Sequence, residues 1–415
     1  MEKVKSEVFT PEVLNEMAKT SGAIERIRKL DGAALLDTVL FDPDASYNSI
    51  SMQLMRRHDV DVSRQALHQK YNGKMGTFVK TAFERLLTLG LPEEEIQGME
   101  IKIKDSTKFG LPDSMAELFP GTKGKGIKAG VSVQFEFGIK SGTSTIKLTA
   151  ANENDQGESH LDKESACPGT IYMRDLAYAH MDYMNNIRDK EAFFINKLNA
   201  KAVIYTWNGK EYKALDLEAV QNIAGVFDQQ VYIGEEKMPA RVIIEPVSPE
   251  LKAARIANTE KENKKKGHAT SEYFKLRAGF NFIITNLSVE KHKAELIQKL
   301  YHLRWQIELV FKAWKSLLKM HQIKKTNEQR IYCMLYGKLL WAVLSWKIYT
   351  AVGKIGQISI LKVHSLIAET KELLREQLWG INTKWLQLLA SIPLNRVLKE
   401  QKKYRIKTEK LIISI

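Results

Sequence analysis

The spacing of apolar side chains predicts a helical start to the chain. Over residues 1–95 apolar positions recur at helical intervals, and Ser49–His58 and Arg64–Lys70 are predicted as two short helices, with Ser63 as the N-cap of the second. A helix, a short turn and a helix beginning Ser-Arg-Gln is typical of helix-turn-helix DNA readers. Pairs of short helices are also common in ordinary all-α domains, so both interpretations stay open.

Beyond residue 95 the pattern changes to alternating apolar and polar positions, which is typical of half-buried strands. Strands are predicted, in chain order, at Met99–Asp105, Val131–Phe137, Thr145–Thr149, Gly169–Asp175 and Ala192–Ile195. The first three form a meander, and the fourth runs into a helical segment at Leu176–Ile187. This order favours a mixed α/β sheet.

A second group of short strands and a basic helical arm, ending at Lys264–Gly267, is predicted to interrupt this sheet. Phe280–Asn286 is predicted to return to it, followed by one helix from Val289 to Met320. The chain therefore divides into a helical region (1–95), the first part of an α/β core (96–195), a β-rich insertion (196–280), the second part of the core (281–326) and a helical C-terminal region (327–415).

The predicted helix from Val289 carries four polar residues of unusual composition. On a continuous helix Tyr301, Arg304, Glu308 and Lys315 fall within roughly a 60° arc. A separate apolar stripe contains Leu303, Ile307, Val310, Phe311, Trp314, Leu317 and Leu318. One carboxylate flanked by two cations and a phenol suits a site that meets metal ions and phosphates. An ordinary amphipathic helix, with Glu308 paired to its i±4 neighbours, explains the same pattern.

Two aspartates are predicted to end strands of the sheet, Asp105 after the first and Asp175 after the fourth. Together with Glu308 they would form a site of three carboxylates, which repel one another unless divalent cations lie between them. Oxygen ligands suit Mg²⁺ or Mn²⁺, and a pair of such ions activates an attacking oxygen and stabilises a leaving oxygen on phosphorus. Taken singly, each aspartate is equally explained as a turn or helix-cap residue.

Charge and composition add a polyanionic partner to this picture. The chain has 63 Lys+Arg against 49 Asp+Glu, a net charge of +14 and a pI near 9.4, which favours nucleic acid. Lys123, Lys125 and Lys128, in a Gly-rich loop, and the run Lys261–Lys266 could follow a DNA backbone. Charge runs are more often simply solvated surface.

Several classes of protein are disfavoured by the same composition. No apolar run is long enough to span a bilayer, and the first residues lack the apolar core of a signal peptide. The two cysteines, Cys167 and Cys333, and the histidines show no zinc-ligand spacing. We therefore expect an intracellular protein of a reducing compartment that is not associated with a membrane.

The motifs around these residues resemble a known family. Tyr301-(x2)-Arg304-(x3)-Glu308-(x6)-Lys315 resembles the Tyr-Arg-Glu-Lys signature of bacterial insertion-sequence transposases of the DDE, cut-and-paste kind. Lys104–Thr107 resembles their first aspartate block and Arg174–Tyr178 their second. The resemblance covers roughly residues 45–325.

The resemblance implies a ribonuclease-H-like core in which Asp105, Asp175 and Glu308 bind two Mg²⁺ (or Mn²⁺) ions. Water would cut the end of the element, the freed 3′-hydroxyl would attack DNA, and a hairpin would form on the way. Tyr301, Arg304 and Lys315 would hold phosphates beside a flipped-out base. The implied partners are double-stranded DNA, as terminal inverted repeats and target, and a second copy of the chain.

One departure concerns the flipped base, because some relatives stack it on a tryptophan in the strand before this helix. Here that strand contains Phe280 and Phe282 and no tryptophan. Three alternatives to the transposase interpretation stay open: a metal-dependent nuclease without strand transfer, a non-enzymatic helix-turn-helix DNA-binding protein, and a decayed transposase that binds ends without cutting.

Overall fold

The computed structural model describes residues 4–88, 99–122, 126–153, 166–198, 202–223, 225–352, 358–391 and 394–398. The predicted boundary at residues 91–95 and the basic residues Lys123 and Lys125 lie outside these ranges.

The described α-helices follow the predicted order of a helical start and a helical end. They are α1 (Pro11–Thr20), α2 (Gly32–Leu40), α3 (Tyr47–His58), α4 (Arg64–Lys70), α5 (Gly73–Thr88), α6 (Met181–Asp189), α7 (Leu217–Gln221), α8 (Pro249–Lys266), α9 (Glu272–Arg277), α10 (Ala294–Tyr301), α11 (Trp305–Ser316), α12 (Glu328–Val352), α13 (Ile360–Glu369), α14 (Lys371–Leu378), α15 (Lys384–Ser391) and α16 (Leu394–Val397). Single turns of 3₁₀-helix occur at Asp113–Met115, Leu176–Tyr178 and His302–Arg304, and a π-helical turn at Lys5–Phe9.

The strands form one mixed sheet. They are β1 (Ile101–Leu111), β2 (Ala129–Gly138), β3 (Ser144–Ala150), β4 (Ile171–Arg174), β5 (Phe193–Lys197), β6 (Ile204–Trp207), β7 (Tyr212–Ala214), β8 (Phe227–Ile233), β9 (Met238–Pro246) and β10 (Phe280–Thr285). Their order is β3-β2-β1-β4-β5-β10-β9-β8-β6-β7. The pairs β1–β4 and β4–β5 are parallel, whereas the strands from β5 onward pair antiparallel.

Contacts between Cα atoms divide the chain into two compact units. The first unit comprises Met1–Ile96, Ser106–Glu153 and Gln306–Ile413; the second comprises Gln97–Asp105, Asn154–Trp305 and Ser414–Ile415. Asp105, Asp175, Tyr301 and Arg304 therefore belong to the second unit, and Glu308 and Lys315 belong to the first.

Aromatic side chains form the centre of the first unit. The ring of Phe135 on β2 lies 4.9 Å from that of Trp314 on α11 and 5.5 Å from that of Trp346 on α12. Helix α12 also crosses α2 closely, because a Cβ atom on Gly337 would lie 2.3 Å from the carbonyl oxygen of Val39. Only glycine fits at that crossing. Helix α12 therefore packs on α2 through Gly337 and on β2 through Trp346, and α11 packs on β2 through Trp314.

In the second unit, one face of the sheet is closed by a hydrophobic cluster. Apolar side chains of β4, β5, β6, β8, β9 and β10 pack there with Tyr183, Met184 and Ile187 of α6. Phe280 and Phe282 belong to this cluster, each 6% exposed. On the opposite face Ile195, Ile243 and Ile283 are buried as well, so these strands are covered on both sides there.

The expected fold class is confirmed: the chain forms a mixed α/β sheet, with helices at the start and end of the described sequence, consistent with a ribonuclease-H-like core. Helix α3, helix α4 and its Ser63 cap are also confirmed, since the Ser63 side chain accepts the N–H of Ala66. The strands of the predicted insertion extend the main sheet through β9 and β10. No helix in the part of the chain that the structure describes has the length and apolar character to cross a membrane.

Two predicted boundaries were wrong. Strand β1 continues past Asp105 to Leu111, because Thr107, Phe109 and Leu111 keep the alternating burial of a strand. The single helix from Val289 to Met320 is instead α10, a 3₁₀ turn and α11, so the 60° arc drawn for one continuous helix does not apply.

Candidate active site

Asp105 and Asp175 are neighbours in one row of the sheet of the second unit. The parallel ladder pairs Lys104 of β1 with Arg174 of β4, so the next residue on each strand lies beside the other, on the same face. Asp175 keeps an extended backbone (φ −73°, ψ 168°) and its side chain makes no hydrogen bond that caps the following 3₁₀ turn. The helix-cap explanation therefore fails for Asp175, and the mid-strand position excludes it for Asp105.

A guanidinium meets this pair of carboxylates. Arg304 Nη1 donates to Asp105 Oδ2 at 3.2 Å, and the two side chains are 16% and 18% exposed. Arg304 ends the 3₁₀ turn at His302–Arg304. The ion pair is half-buried, so it is screened less than a surface pair while remaining accessible to a substrate.

Tyr301 lies next to the same charges. Its phenol is 8% exposed, and burial raises its pKa; Arg304 lowers it, while the negative charges of Asp175 and Asp105 raise it further. The phenol therefore stays neutral at physiological pH. Four of the six predicted site residues, Asp105, Asp175, Tyr301 and Arg304, thus come together within the second unit.

Lys197 is a fifth residue of this group, and the sequence pattern did not indicate it. Arg174 pairs with Asn196 of β5, so the row Asp105–Asp175 continues to Lys197, whose Nζ lies 5.8 Å from the centre of the Tyr301 ring. Lys197 is exposed. It was overlooked because the fifth strand was predicted to end at Ile195, and the pairing register that aligns it is not visible in a single sequence.

Helix α10 is held in place by a buried arginine. Arg241, 1% exposed, binds Asp228 through two hydrogen bonds of 2.7 Å. Its Nη1 donates to the carbonyl oxygens of Leu287, Ser288 and His292 at 3.3, 3.2 and 2.7 Å. Arg241 thus holds the segment before α10, which begins at Ala294 and not at Val289 as predicted.

Cations also lie on the opposite face, directly before each aspartate. Arg174 is 1% exposed and stacks 4.2 Å from the Tyr183 ring, while Lys104 Nζ lies 5.9 Å from the Tyr178 ring. Tyrosine faces stabilise such buried cations. They lie at the last pair of the β1–β4 ladder and place positive charge next to the carboxylate row.

Glu308 and Lys315 belong to α11 of the first unit. Ile307, Val310 and Trp314 of this helix are buried, while Glu308 and Lys315 are partly exposed. Among the described residues, no group of three or more His, Cys, Asp or Glu side chains is placed to hold a metal ion. The pair Asp105 and Asp175 nevertheless supplies the adjacent oxygen ligands that Mg²⁺ or Mn²⁺ prefers.

The helix pair α3 and α4 presents polar residues suited to DNA. Arg64, Gln65, His68 and Gln69 of α4 are exposed. The turn between the helices is held by a hydrogen bond of 2.6 Å from Ser51 Oγ to the carbonyl of Val62. The two helices and the turn between them lie where the sequence predicts them.

Known proteins resemble the chain over most of its length. It is 26% identical to the transposase for insertion sequence element IS231F of Bacillus thuringiensis subsp. israelensis, over 88% of this chain and 82% of that protein. It is 28% identical to the transposases for IS231E of Bacillus thuringiensis subsp. finitimus (80% and 76% covered) and IS1151 of Clostridium perfringens (82% and 78%).

One solved structure is also similar, the cryo-EM structure of the piggyBac transposase synaptic complex with hairpin DNA. It covers 94% of this chain and 84% of that chain, with 11% identity and a TM-score of 0.41, too low to support an inference. The family described as "Transposase DDE domain" matches residues 96–344, more than half of the chain and the whole stretch from Asp105 to Lys315. The chain belongs to this family, and it is an enzyme of DNA transposition.

Proposed function

We propose that the chain moves an insertion sequence by Mg²⁺-dependent cleavage of its DNA ends, formation of a DNA hairpin and strand transfer. The observation that supports this most directly is the row Asp105–Asp175, with Arg304 and Lys197 around it. Two adjacent carboxylates with cations at their rim suit divalent metal and phosphate together.

Asp105 and Asp175 would hold two Mg²⁺ or Mn²⁺ ions, with Glu308 as the third ligand. When bound, these ions would polarise the scissile phosphate and acidify the attacking hydroxyl. The adjacent carboxylates repel each other, so the site favours cations strongly. The pairing of Arg304 with Asp105 positions that carboxylate.

Tyr301, Arg304 and Lys315 are proposed to hold the DNA end. The guanidinium of Arg304 and the amine of Lys315 neutralise phosphates, which makes binding dependent on salt. Tyr301 is neutral and buried, so its contribution is to fix the end of α10, and with it Arg304. The exposed polar face of α4 would read the terminal inverted repeat in the major groove.

A homodimer holding two element ends is also proposed, on the family resemblance alone. Sedimentation of the protein with and without a duplex bearing the inverted repeat measures this directly. A complex with one chain per duplex at every protein concentration would refute the dimer without touching the chemistry.

Nicking of that duplex tests the chemistry. Asp105→Asn and Glu308→Gln should bind the duplex within about twofold of the wild type but lose Mg²⁺-dependent nicking by about a thousandfold or more. Asp113→Asn is the matched control, because Asp113 is an exposed aspartate paired only with Lys128 at 3.3 Å among its described contacts. Nicking at wild-type rates by either active-site variant would refute the assignment.

Product analysis separates a transposase from a nuclease. The wild type should yield hairpin ends and, with a target plasmid, joined products that contain both DNAs. Cleaved ends that never join in the presence of target would instead establish a nuclease without strand transfer.

A further inference from the structure

An exposed group of aromatic side chains lies at the last two strands of the sheet. Trp207 on β6 and Tyr212 on β7 are 47% and 42% exposed, and their ring centroids are 4.7 Å apart. The Tyr212 ring also lies 4.9 Å from that of Tyr232 on β8. With Tyr205, these residues form what we call the aromatic platform.

Lysines accompany the aromatic platform. Lys237 Nζ lies 3.2 Å from the centre of the Tyr205 ring and 5.7 Å from that of Tyr212. Lys210 is exposed in the turn between β6 and β7, and Lys213 pairs with Glu211 at 3.1 Å. Flat rings with amines between them suit nucleotides, since bases stack on the rings and phosphates meet the amines.

The pairing register places the platform on the same face of the sheet as Asp175 and Lys197. Directly paired residues of neighbouring strands share a face. The path runs through the pairs Lys197–Ile283, Ile283–Ile243, Ile243–Asp228, Tyr232–Tyr205 and Trp207–Tyr212. Asp228 and Tyr232 are four residues apart on β8 and therefore share that face as well.

The rings of the platform do not belong to the hydrophobic cluster. It occupies the opposite face, where Ile204, Ile233, Phe280 and Phe282 are buried. Phe280 and Phe282 are therefore turned away from the aspartates and cannot stack a base there. Among the described strands, the exposed aromatic side chains on the aspartate face are those of the platform.

We propose that the aromatic platform binds unpaired nucleotides of the DNA substrate by base stacking, an inference that rests on the proposed function. Five steps between strands separate β4 from β6, which at about 4.8 Å each amounts to about 24 Å. That span equals the rise of about seven base pairs. Ile283 and Ile243, between the two places on this face, are buried, so a DNA end engaged at Asp175 would pass over the elements that cover them to reach the platform. The platform would hold a strand that has been opened.

Binding measured with a short oligothymidylate tests the stacking itself. The double variant Trp207→Ala/Tyr212→Ala should lose about tenfold in affinity, and Trp207→Phe/Tyr212→Phe should retain most of it. Tyr273→Ala is the matched control, since Tyr273 is a 50% exposed tyrosine on α9, outside the platform. All three positions are exposed, and thermal melts verify the fold.

Two duplexes bearing the inverted repeat, one blunt and one with unpaired terminal nucleotides, separate the possible outcomes. The wild type should bind the unpaired end more tightly, and the Trp207→Ala/Tyr212→Ala variant should lose this preference while binding the blunt duplex as before. An equal loss on both duplexes, or none, would overturn the proposal. A change of sedimentation in the variant would assign the platform to contact between copies instead. Failure of the wild type to nick either duplex would reject the proposed function but leave the oligothymidylate result standing.

Discussion

Clusters of aspartate and arginine occur in both units, and they are built differently. In the first unit Asp37 is 2% exposed and accepts from Arg57 at 3.4 Å and from Trp379 Nε1 at 2.7 Å, with His58 at 3.3 Å. In the second unit Asp105 is 18% exposed, pairs with Arg304 and has a second carboxylate, that of Asp175, as its neighbour in the sheet.

The two clusters differ in the charges around the aspartate, and this distinguishes a structural carboxylate from one that is suited to catalysis. Asp37 pairs with Arg57, which also binds Asp42 and Glu372, so the desolvated charge is compensated and the cluster ties α2, α3 and α14 together. Asp105 pairs with Arg304, but the carboxylate of Asp175 next to it is a like charge. This repulsion costs stability unless a further cation binds. The first cluster needs no ligand, whereas the proposed metal ions would be the partners of the second.

Replacing Asp175 with Asn tests this contrast with the largest expected effect. Loss of one metal ligand should reduce nicking about a thousandfold or more, while thermal stability without metal stays equal or rises because the repulsion is gone. Mn²⁺ should raise the melting temperature of the wild type and not of Asp175→Asn. A variant that melts lower without metal would show that Asp175 has a structural role.

Replacing Asp37 with Ala should have the reverse profile. Removing the carboxylate takes the acceptor from Trp379 Nε1 and leaves Arg57, 3% exposed, with the more exposed Asp42 at 2.9 Å and Glu372 at 2.8 Å. This should cost about 1–3 kcal/mol in the free energy of unfolding. Urea unfolding measures the loss, and Asp61→Ala, at an exposed aspartate, serves as the control. Nicking per folded molecule should be retained. A variant with normal stability and no nicking would show that Asp37 takes part in the chemistry and is not structural.

Asp175 could be found from the sequence because it directly follows an apolar strand. Asp105 was found by the same rule although the rule was wrong for it, since β1 continues for six further residues. What brings the two together is the end of the parallel ladder at Lys104 and Arg174. Burial periodicity therefore located the strands but not the point at which their pairing stops.

The remaining contacts depend on residues far apart in the chain. Asp37 stands inside the apolar helix α2, a sign of a buried polar partner, but Arg57 and Trp379 lie 20 and 342 positions away. Arg241 acts through backbone carbonyls about 50 positions later, which no side-chain pattern encodes. Lys197 and the aromatic platform require the register of several strands.

Replacing Arg304 with Ala tests the role of the cation at the second cluster. Removing the cation beside Asp105 should lower nicking about tenfold to a hundredfold and reduce the salt dependence of end binding by about one phosphate contact. Arg188→Ala is the control, because Arg188 is a surface arginine of the same unit paired with Asp189. Binding with an unchanged salt slope would mean that Arg304 only positions Asp105.

The smallest effect is expected from pH, at the Asp37 cluster of the first unit. Burial alone would raise the pKa of Asp42, but hydrogen bonds and charge from Lys371 and Arg57 outweigh it and hold the pKa below its ordinary value of 3.8. A carboxyl with a lowered pKa stabilises the folded state at pH values above that of the unfolded chain, and this contribution is lost as the pH falls through the folded value. The urea midpoint of the wild type should therefore fall below about pH 4. Asp42→Asn should start lower and fall less steeply; parallel curves for the two proteins would show that protonation of Asp42 does not control the acid sensitivity of this cluster.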